Sequence, residues 1–209
     1  MKFLDLKKKA QDFPIFRLED VFKWFPAANR RTVIFQLGLW TKKGLLERFK
    51  RGLYKLADYQ IKDPFILASF LYSPSYISLE TALNYHGIIP DVPFSITSIS
   101  TKKTNIFKLK NYGWFSYARL KLELFFGFET IMAEKKYGYN IALPEKALFD
   151  FLYLKSINRA FVPENFLAEA RFSFDKNFKW HLLRRWKKLI PLSRKRFHAV
   201  LDLLFKKNG

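Results

Sequence analysis

Residues 29–57, NRRTVIFQLGLWTKKGLLERFKRGLYKLA, constrain the fold more tightly than any other stretch, because three kinds of backbone signal follow one another there. Val33, Leu37 and Trp40 recur at the i, i+4, i+7 spacing of one helix face, which predicts a buried stripe. Arg30, Arg31, Thr32 and Gln36 fall on the other side, with side chains suited to phosphates and base edges. Lys42 and Lys43 put cations at the negative end of the helix dipole, and Gly44 supplies the left-handed residue that ends the helix. Two short alternating runs, 45–49 and 53–56, flank Lys50-Arg51-Gly52 and predict a hairpin with a basic tip. Upstream, residues 16–25 predict a short helix with Glu19 and Asp20 in its first turn and Leu18, Val21, Phe22 and Phe25 as its apolar stripe. Pro26-Ala27-Ala28 is then the turn into the next helix. A short helix, a turn, a helix with a basic face and a basic hairpin make the layout of a winged helix-turn-helix. The competing reading is a small helical subdomain whose cations are merely solvated. The hairpin directly after the helix favours DNA binding.

Charge asks for a polyanionic partner. The chain has 209 residues, a formal net charge of +20 and a pI of about 10.0. Hydrophobic residues make up 49% and aromatics 19%, so this is a globular protein with a core and not a disordered basic tail. The net charge is +9 over residues 1–62, +3 over 63–160 and +8 over 161–209, which assigns nucleic-acid contacts to the two ends. With no cysteine, disulfides, thiolate catalysis and cysteine zinc sites are excluded together. The N-terminal MKFLDLKKKAQDF has no continuous apolar signal core, and no run approaches the roughly 18 apolar residues of a spanning helix. No membrane association is expected, and a cytoplasmic location is the default.

Along the chain, residues 1–12 predict a first helix with Phe3, Leu4 and Leu6 inward and Lys7, Lys8 and Lys9 outward. Residues 58–64, ending in Pro64, mark a boundary. A second domain over 63–160 starts with a helix at 65–72. Tyr76 and Ile77 enter a strand, Ser78 is the N-cap of a helix carrying Glu80, and Gly87 stops that helix. Residues 94–101 predict a strand, 105–109 with 114–119 a hairpin, and 131–134 with 139–143 another around Tyr137-Gly138. Pro144 opens a helix through Leu154 with Leu148, Phe151 and Leu152 buried. The fold class expected is α+β: a winged helix-turn-helix over 1–62, an α+β domain with an antiparallel sheet over 63–160, and a basic helical extension over 161–209. In that extension, helices are predicted at 163–170, 176–189 and 193–207. Arg184, Arg185, Lys187 and Lys188 with Arg194, Lys195 and Arg196 form either a second basic surface or two ordinary amphipathic helices.

The segments PFILASFLYSPSYISLETALNYHGIIPDVPFSITSISTKK, ELFFGFE and IALPEKALFDFLY resemble the AbiEi family, antitoxins of abortive-infection (type IV) toxin–antitoxin systems. The resemblance covers roughly residues 18–154, including KKGLLERFKRGLYKL, and rests on the SYISLETAL–YHG unit, the TS–TKK strand and the PEKALFD helix. It implies a bacterial regulator that binds repeats upstream of its own gene and represses its own promoter. It also implies a nucleotidyltransferase-type toxin as genetic partner, with no stable complex between the two. Repeats imply two copies on DNA, a dimer that forms when bound.

Signals for enzyme chemistry are poor, and neither enzymatic activity nor a cofactor or metal is expected. His86, His181 and His198 have no ligand spacing between them, and no phosphate-cradling glycine loop, Gly-x-Ser-x-Gly or His-Glu-x-x-His occurs. Glu134-Lys135-Lys136 with Asp91 leaves a metal-dependent nuclease as one alternative, although such triplets are common by chance and a charged hairpin tip is the better reading. Glu145-Lys146 is explained by dipole and packing. The function expected is a sequence-specific DNA-binding repressor and antitoxin. Arg30, Arg31, Thr32 and Gln36 are its major-groove candidates, flanked by Lys42 and Lys43, and Arg48, Lys50 and Arg51 are its wing contacts. In the second domain Ser78, Glu80, Tyr85, Lys102 and Lys103 are the polar candidates, with no chemistry assigned. An RNA-binding module is the other alternative.

Overall fold

The computed structural model of the chain describes residues 1–134 and 137–208, and of Glu134 the backbone alone. The N-terminal unit runs α1 (Phe3–Ala10), β1 (Phe16–Arg17), α2 (Leu18–Trp24), α3 (Arg30–Lys42), β2 (Leu46–Lys50) and β3 (Leu53–Leu56). Its three strands pair in the order β1-β3-β2, all antiparallel. The i, i+4, i+7 stripe of α3 is buried as predicted, joined by Leu6, Val21, Leu46 and Leu56 in one apolar cluster. Asn29 caps α3, its Oδ1 accepting from the backbone N–H groups of Arg31 (3.0 Å) and Thr32 (3.2 Å). Gly44, with φ +70°, ends the helix and Gly52, with φ +77°, closes the two-residue turn between β2 and β3.

Two details differ from expectation. Residues 16 and 17 are not the start of α2 but a short strand on β3, because Arg17 and Leu53 are strand partners and the helix begins only after them. Leu4 faces solvent, since the buried stripe of α1 is Leu6 and Ala10, one helical turn apart.

The second part builds a six-stranded sheet from β4 (Ser75–Ile77), β5 (Ser95–Ser100), β6 (Asn105–Leu109), β7 (Gly113–Arg119), β8 (Phe128–Glu134) and β9 (Tyr137–Ala142), in the order β6-β7-β5-β4-β9-β8. The sheet is mixed, which corrects the antiparallel expectation. The hairpin β6–β7 attaches to β5 through its second strand, and the hairpin β8–β9 attaches to β4 through its second strand, so β5·β7 and β4·β9 are parallel. Alternation along a strand reveals its faces but not its neighbour. Tyr137 and Gly138 lie within β9, so the second hairpin does not turn there, and the charged tip at 135–136 lies outside the described residues.

Adjacent strand residues point to opposite faces, and each face is covered by helix. On one face α4 (Phe65–Leu71) meets Tyr139 through Phe65, and the Ala68 carbonyl accepts from the Tyr117 hydroxyl. On the other, α5 (Leu79–Tyr85) packs beside α6 (Pro144–Lys155), which reaches Tyr76. The helices α7 (Pro163–Glu169), α8 (Trp180–Lys187) and α9 (Lys195–Asn208) complete the chain. Leu183, Trp186, Phe197, Val200, Leu201 and Leu204 from this last part join the same core as α6 and the sheet. That core also takes Ile15, Phe49 and Leu53 from the N-terminal unit, so the two parts share buried side chains. No helix among the described residues is long and apolar enough to cross a membrane.

Candidate nucleic-acid interface

The outward face of α3 is defined by what the helix buries. With Val33, Leu37 and Trp40 inside, the opposite ridge carries Arg31, Phe35, Gly38 and Lys42, flanked by Ile34, Leu39 and Thr32. Arg30, Arg31, Thr32, Lys42 and Lys43 are exposed, as predicted, and Arg30 lies with its guanidinium 5.1 Å over the Phe22 ring. Gln36 is the exception. It sits at the edge of the packed side, with Oε1 enclosed and without a hydrogen-bond partner, and does not share the ridge of Arg31. Between the cations the ridge is apolar: Phe35 is 70% exposed and Ile34 50%. Helical spacing locates the cations and misses this, because a stripe count assigns apolar residues to cores by default. Gly38 has no neighbour within 4 Å of where a side chain would start, so the backbone there is open to close approach.

The hairpin tip is where the expectation needs correcting. Arg48 and Arg51 are exposed. Lys50 is not a free wing cation. It turns away, donating from Nζ to the Leu71 carbonyl at the end of α4 (2.5 Å), with the Phe107 ring 5.7 Å away. The bulge between Arg48 and Lys50 allows this turn of the side chain. Burial, then the nearby charges of Arg17 and Lys102, hold its pKa below the ordinary lysine value.

The five polar candidates of the second domain do not converge. Ser78 precedes α5 as predicted but is fully buried, and its hydroxyl donates to Asp150 Oδ2 (2.9 Å) instead of capping the helix. Glu80 lies 3.7 Å from Lys155, an exposed pair of small energetic value. Tyr85 is half-exposed between the rings of Phe65 and His86. Lys102 donates to the Ser73 carbonyl (2.5 Å) beside the Tyr72 ring, and the Lys103 carbonyl accepts from the Tyr72 hydroxyl (2.8 Å).

A closed polar network was not anticipated. Lys146 and Asp150, both with no exposed surface, form an i, i+4 ion pair on α6. The Tyr76 hydroxyl donates to Asp150 (2.8 Å), and the Lys146 ammonium donates to the Tyr76 oxygen (3.0 Å). Phe126 and Phe149 lie 5.0 and 5.1 Å from the same ammonium. Burial pushes the lysine pKa down and the aspartate pKa up, and the partner's charge opposes both shifts. Glu145, also buried, accepts from the Lys179 backbone N–H (2.7 Å), tying α6 to the approach to α8. Dipole and packing alone therefore do not account for Glu145-Lys146, because both buried side chains also have specific polar partners. The signal available was the i, i+4 spacing of Lys146 and Asp150 inside an otherwise apolar run.

Asp91, half of the proposed nuclease pair, makes an exposed ion pair with Arg171 (2.8 Å), and the side chain of Glu134 lies outside the described residues. Among the described residues no cluster of three His, Asp or Glu side chains is placed to hold a metal ion. His86 Nε2 contacts the Ala142 carbonyl (2.8 Å), and His198 Nε2 lies 3.2 Å from the carbonyls of Ile190 and Pro191, so both imidazoles are used in packing. In comparisons with protein-family models and with curated proteins, the chain matches none.

Proposed function

We propose that the protein is a sequence-specific DNA-binding repressor that regulates its own promoter and serves as the antitoxin of a toxin–antitoxin system. In this reading residues 1–62 are a winged helix-turn-helix with α3 in the major groove. The observation that carries it is the outward ridge of α3, cationic at both ends with exposed apolar residues between. Arg31 suits the acceptor pair of a guanine edge, Lys42 and Lys43 suit phosphates, and Phe35 suits the C5-methyl group of thymine. The element order and the β1-β3-β2 sheet support the same assignment, since a hairpin follows α3 and the strand before α2 closes the sheet. Arg48 and Arg51 serve as the wing contacts, and Lys50 acts through the seam behind the wing. The antitoxin half of the proposal rests on the resemblance to the AbiEi family. The genetic partner is then a nucleotidyltransferase-type toxin that forms no stable complex with this chain, and two copies meet on repeats upstream of its gene.

A binding titration over a series of salt concentrations tests the DNA reading, using the duplex upstream of the gene with scrambled duplex and RNA as competitors. Selective binding that weakens steeply with salt and is lost in Arg31→Ala is expected. Equal affinity for every polyanion would reduce +20 to bulk attraction. Preference for RNA would replace this reading with the RNA-binding one. For the antitoxin half, co-expression with the neighbouring toxin gene should restore growth, and failure to do so rejects it.

A further inference from the structure

Behind the hairpin turn, four cations from three segments line one cavity of about 310 Å³: Arg17 from β1, Lys50 at the end of β2 with Arg51 in the turn after it, and Lys102 from the loop after β5. Three are positioned by aromatic faces. Arg17 lies 5.6 Å from the Phe70 ring, Lys50 5.7 Å from Phe107 and Lys102 5.6 Å from Tyr72. Lys50 and Lys102 each give one donor to a carbonyl, Leu71 and Ser73, which leaves two donors on each ammonium. Among the described residues no carboxylate pairs with any of the four within 4 Å, and Glu19, which lines the same cavity, makes no ion pair. Like charges are thus held together at a partly buried site, against their mutual repulsion, by packing from both parts of the molecule.

We infer that this cavity is a phosphate-binding site spanning the seam between the N-terminal unit and the six-stranded sheet. The Arg17 guanidinium over the Phe70 ring, with the Arg51 guanidinium and two lysine ammoniums lining the same cavity, matches the oxygens of a phosphate group and cancels its charge. The volume exceeds that of a single phosphate and lies at the small end of ligand pockets, which suits a pyrophosphate or the phosphates of a nucleotide. The same chemistry is offered by a polynucleotide backbone. A bound phosphate joins β1 and the hairpin turn to the loop after β5 and therefore braces the two parts against each other. The inference is independent of α3 reading bases.

The test uses the full chain and inorganic pyrophosphate, followed by calorimetric titration at constant ionic strength. Saturable one-site binding is expected, weakened about tenfold or more in Arg17→Gln and in Lys102→Gln, both exposed positions. Lys206→Gln, an exposed cation near the end of α9, should leave it unchanged. Absence of saturation, or equal weakening by all three substitutions, overturns the proposal. Displacement of pyrophosphate by scrambled duplex identifies the ligand as backbone phosphate, and simultaneous binding of both identifies a small phosphorylated ligand. Arg31→Ala should retain pyrophosphate binding even where it abolishes specific DNA binding, which separates failure here from failure of the DNA reading.

Discussion

The molecule handles buried or crowded lysines in two opposite ways. On α6, Lys146 is enclosed with a carboxylate and the tyrosine hydroxyl it meets, and the aspartate receives hydroxyls from Tyr76 and Ser78. At the seam, Lys50 and Lys102 are answered by carbonyls and aromatic rings with no carboxylate among the described residues, while two arginines line the same cavity. A closed network leaves little for a ligand to do, and its energetic meaning is architectural. An open cluster of like charge keeps donors available and so points outward from the fold to a partner.

The sharpest way to break that contrast is Asp150→Ala, which strands a buried ammonium and should cost about 3 to 5 kcal/mol in urea unfolding. Replacing both members, Lys146→Met with Asp150→Leu, should cost much less than the single change. If the single substitution behaves like loss of a surface pair, the network is not the closed unit described. On the exposed side, Arg31→Ala should lower affinity for the cognate duplex by about 1 to 3 kcal/mol while leaving folding intact. Phe35→Ala should fall in the lower part of that range. Deoxyuridine in place of thymine should reproduce its effect on the wild type without a mutation, and indifference to the missing methyl would remove Phe35 from base reading.

Gly127→Ala probes the wall of the closed network. The residue has φ +73°, and a new side chain there would begin 3.1 Å from Cγ and Cδ of Lys146, so a loss of about 1 to 2 kcal/mol in thermal or urea unfolding is expected. The smallest effect belongs to the exposed pair of Asp58 with Lys7. The hydrogen bond from Lys7 holds the Asp58 carboxyl below its ordinary value of 3.8. Its contribution is therefore present above that value and lost as pH falls through the lowered folded one. Melting curves of wild type and Asp58→Asn should differ slightly near neutrality and converge in acid. A gap that widens on acidification would contradict the assigned sign.

The local elements were largely legible in the chain. Helical spacing located α3 and α6, Gly44 marked the end of α3 and Gly52 the β2–β3 turn, and the hairpin β6–β7 fell where alternation put it. Partner choice was not legible. The parallel pairings β4·β9 and β5·β7 bring together residues far apart in the chain, for which a single sequence holds no register signal. The site was legible in the same partial way. The exposure of Arg30, Arg31, Lys42 and Lys43 was readable because a cation beside a buried apolar stripe is local information. The inward turn of Lys50 and the burial of Ser78 depend on Leu71 and Asp150, which only tertiary packing brings near.

Ile15, Phe49 and Leu53 sit in the core of the larger part although they belong to the smaller one. A fragment ending at residue 62 would carry that greasy underside into water, so the basic segment is not a cassette that can be lifted out and grafted onto another chain. If α3 reads DNA as proposed, changing what it reads calls for recarving its ridge in place, with Ile15, Phe49 and Leu53 left as they are. A truncation that binds DNA poorly would report a damaged fragment before it reported a missing function.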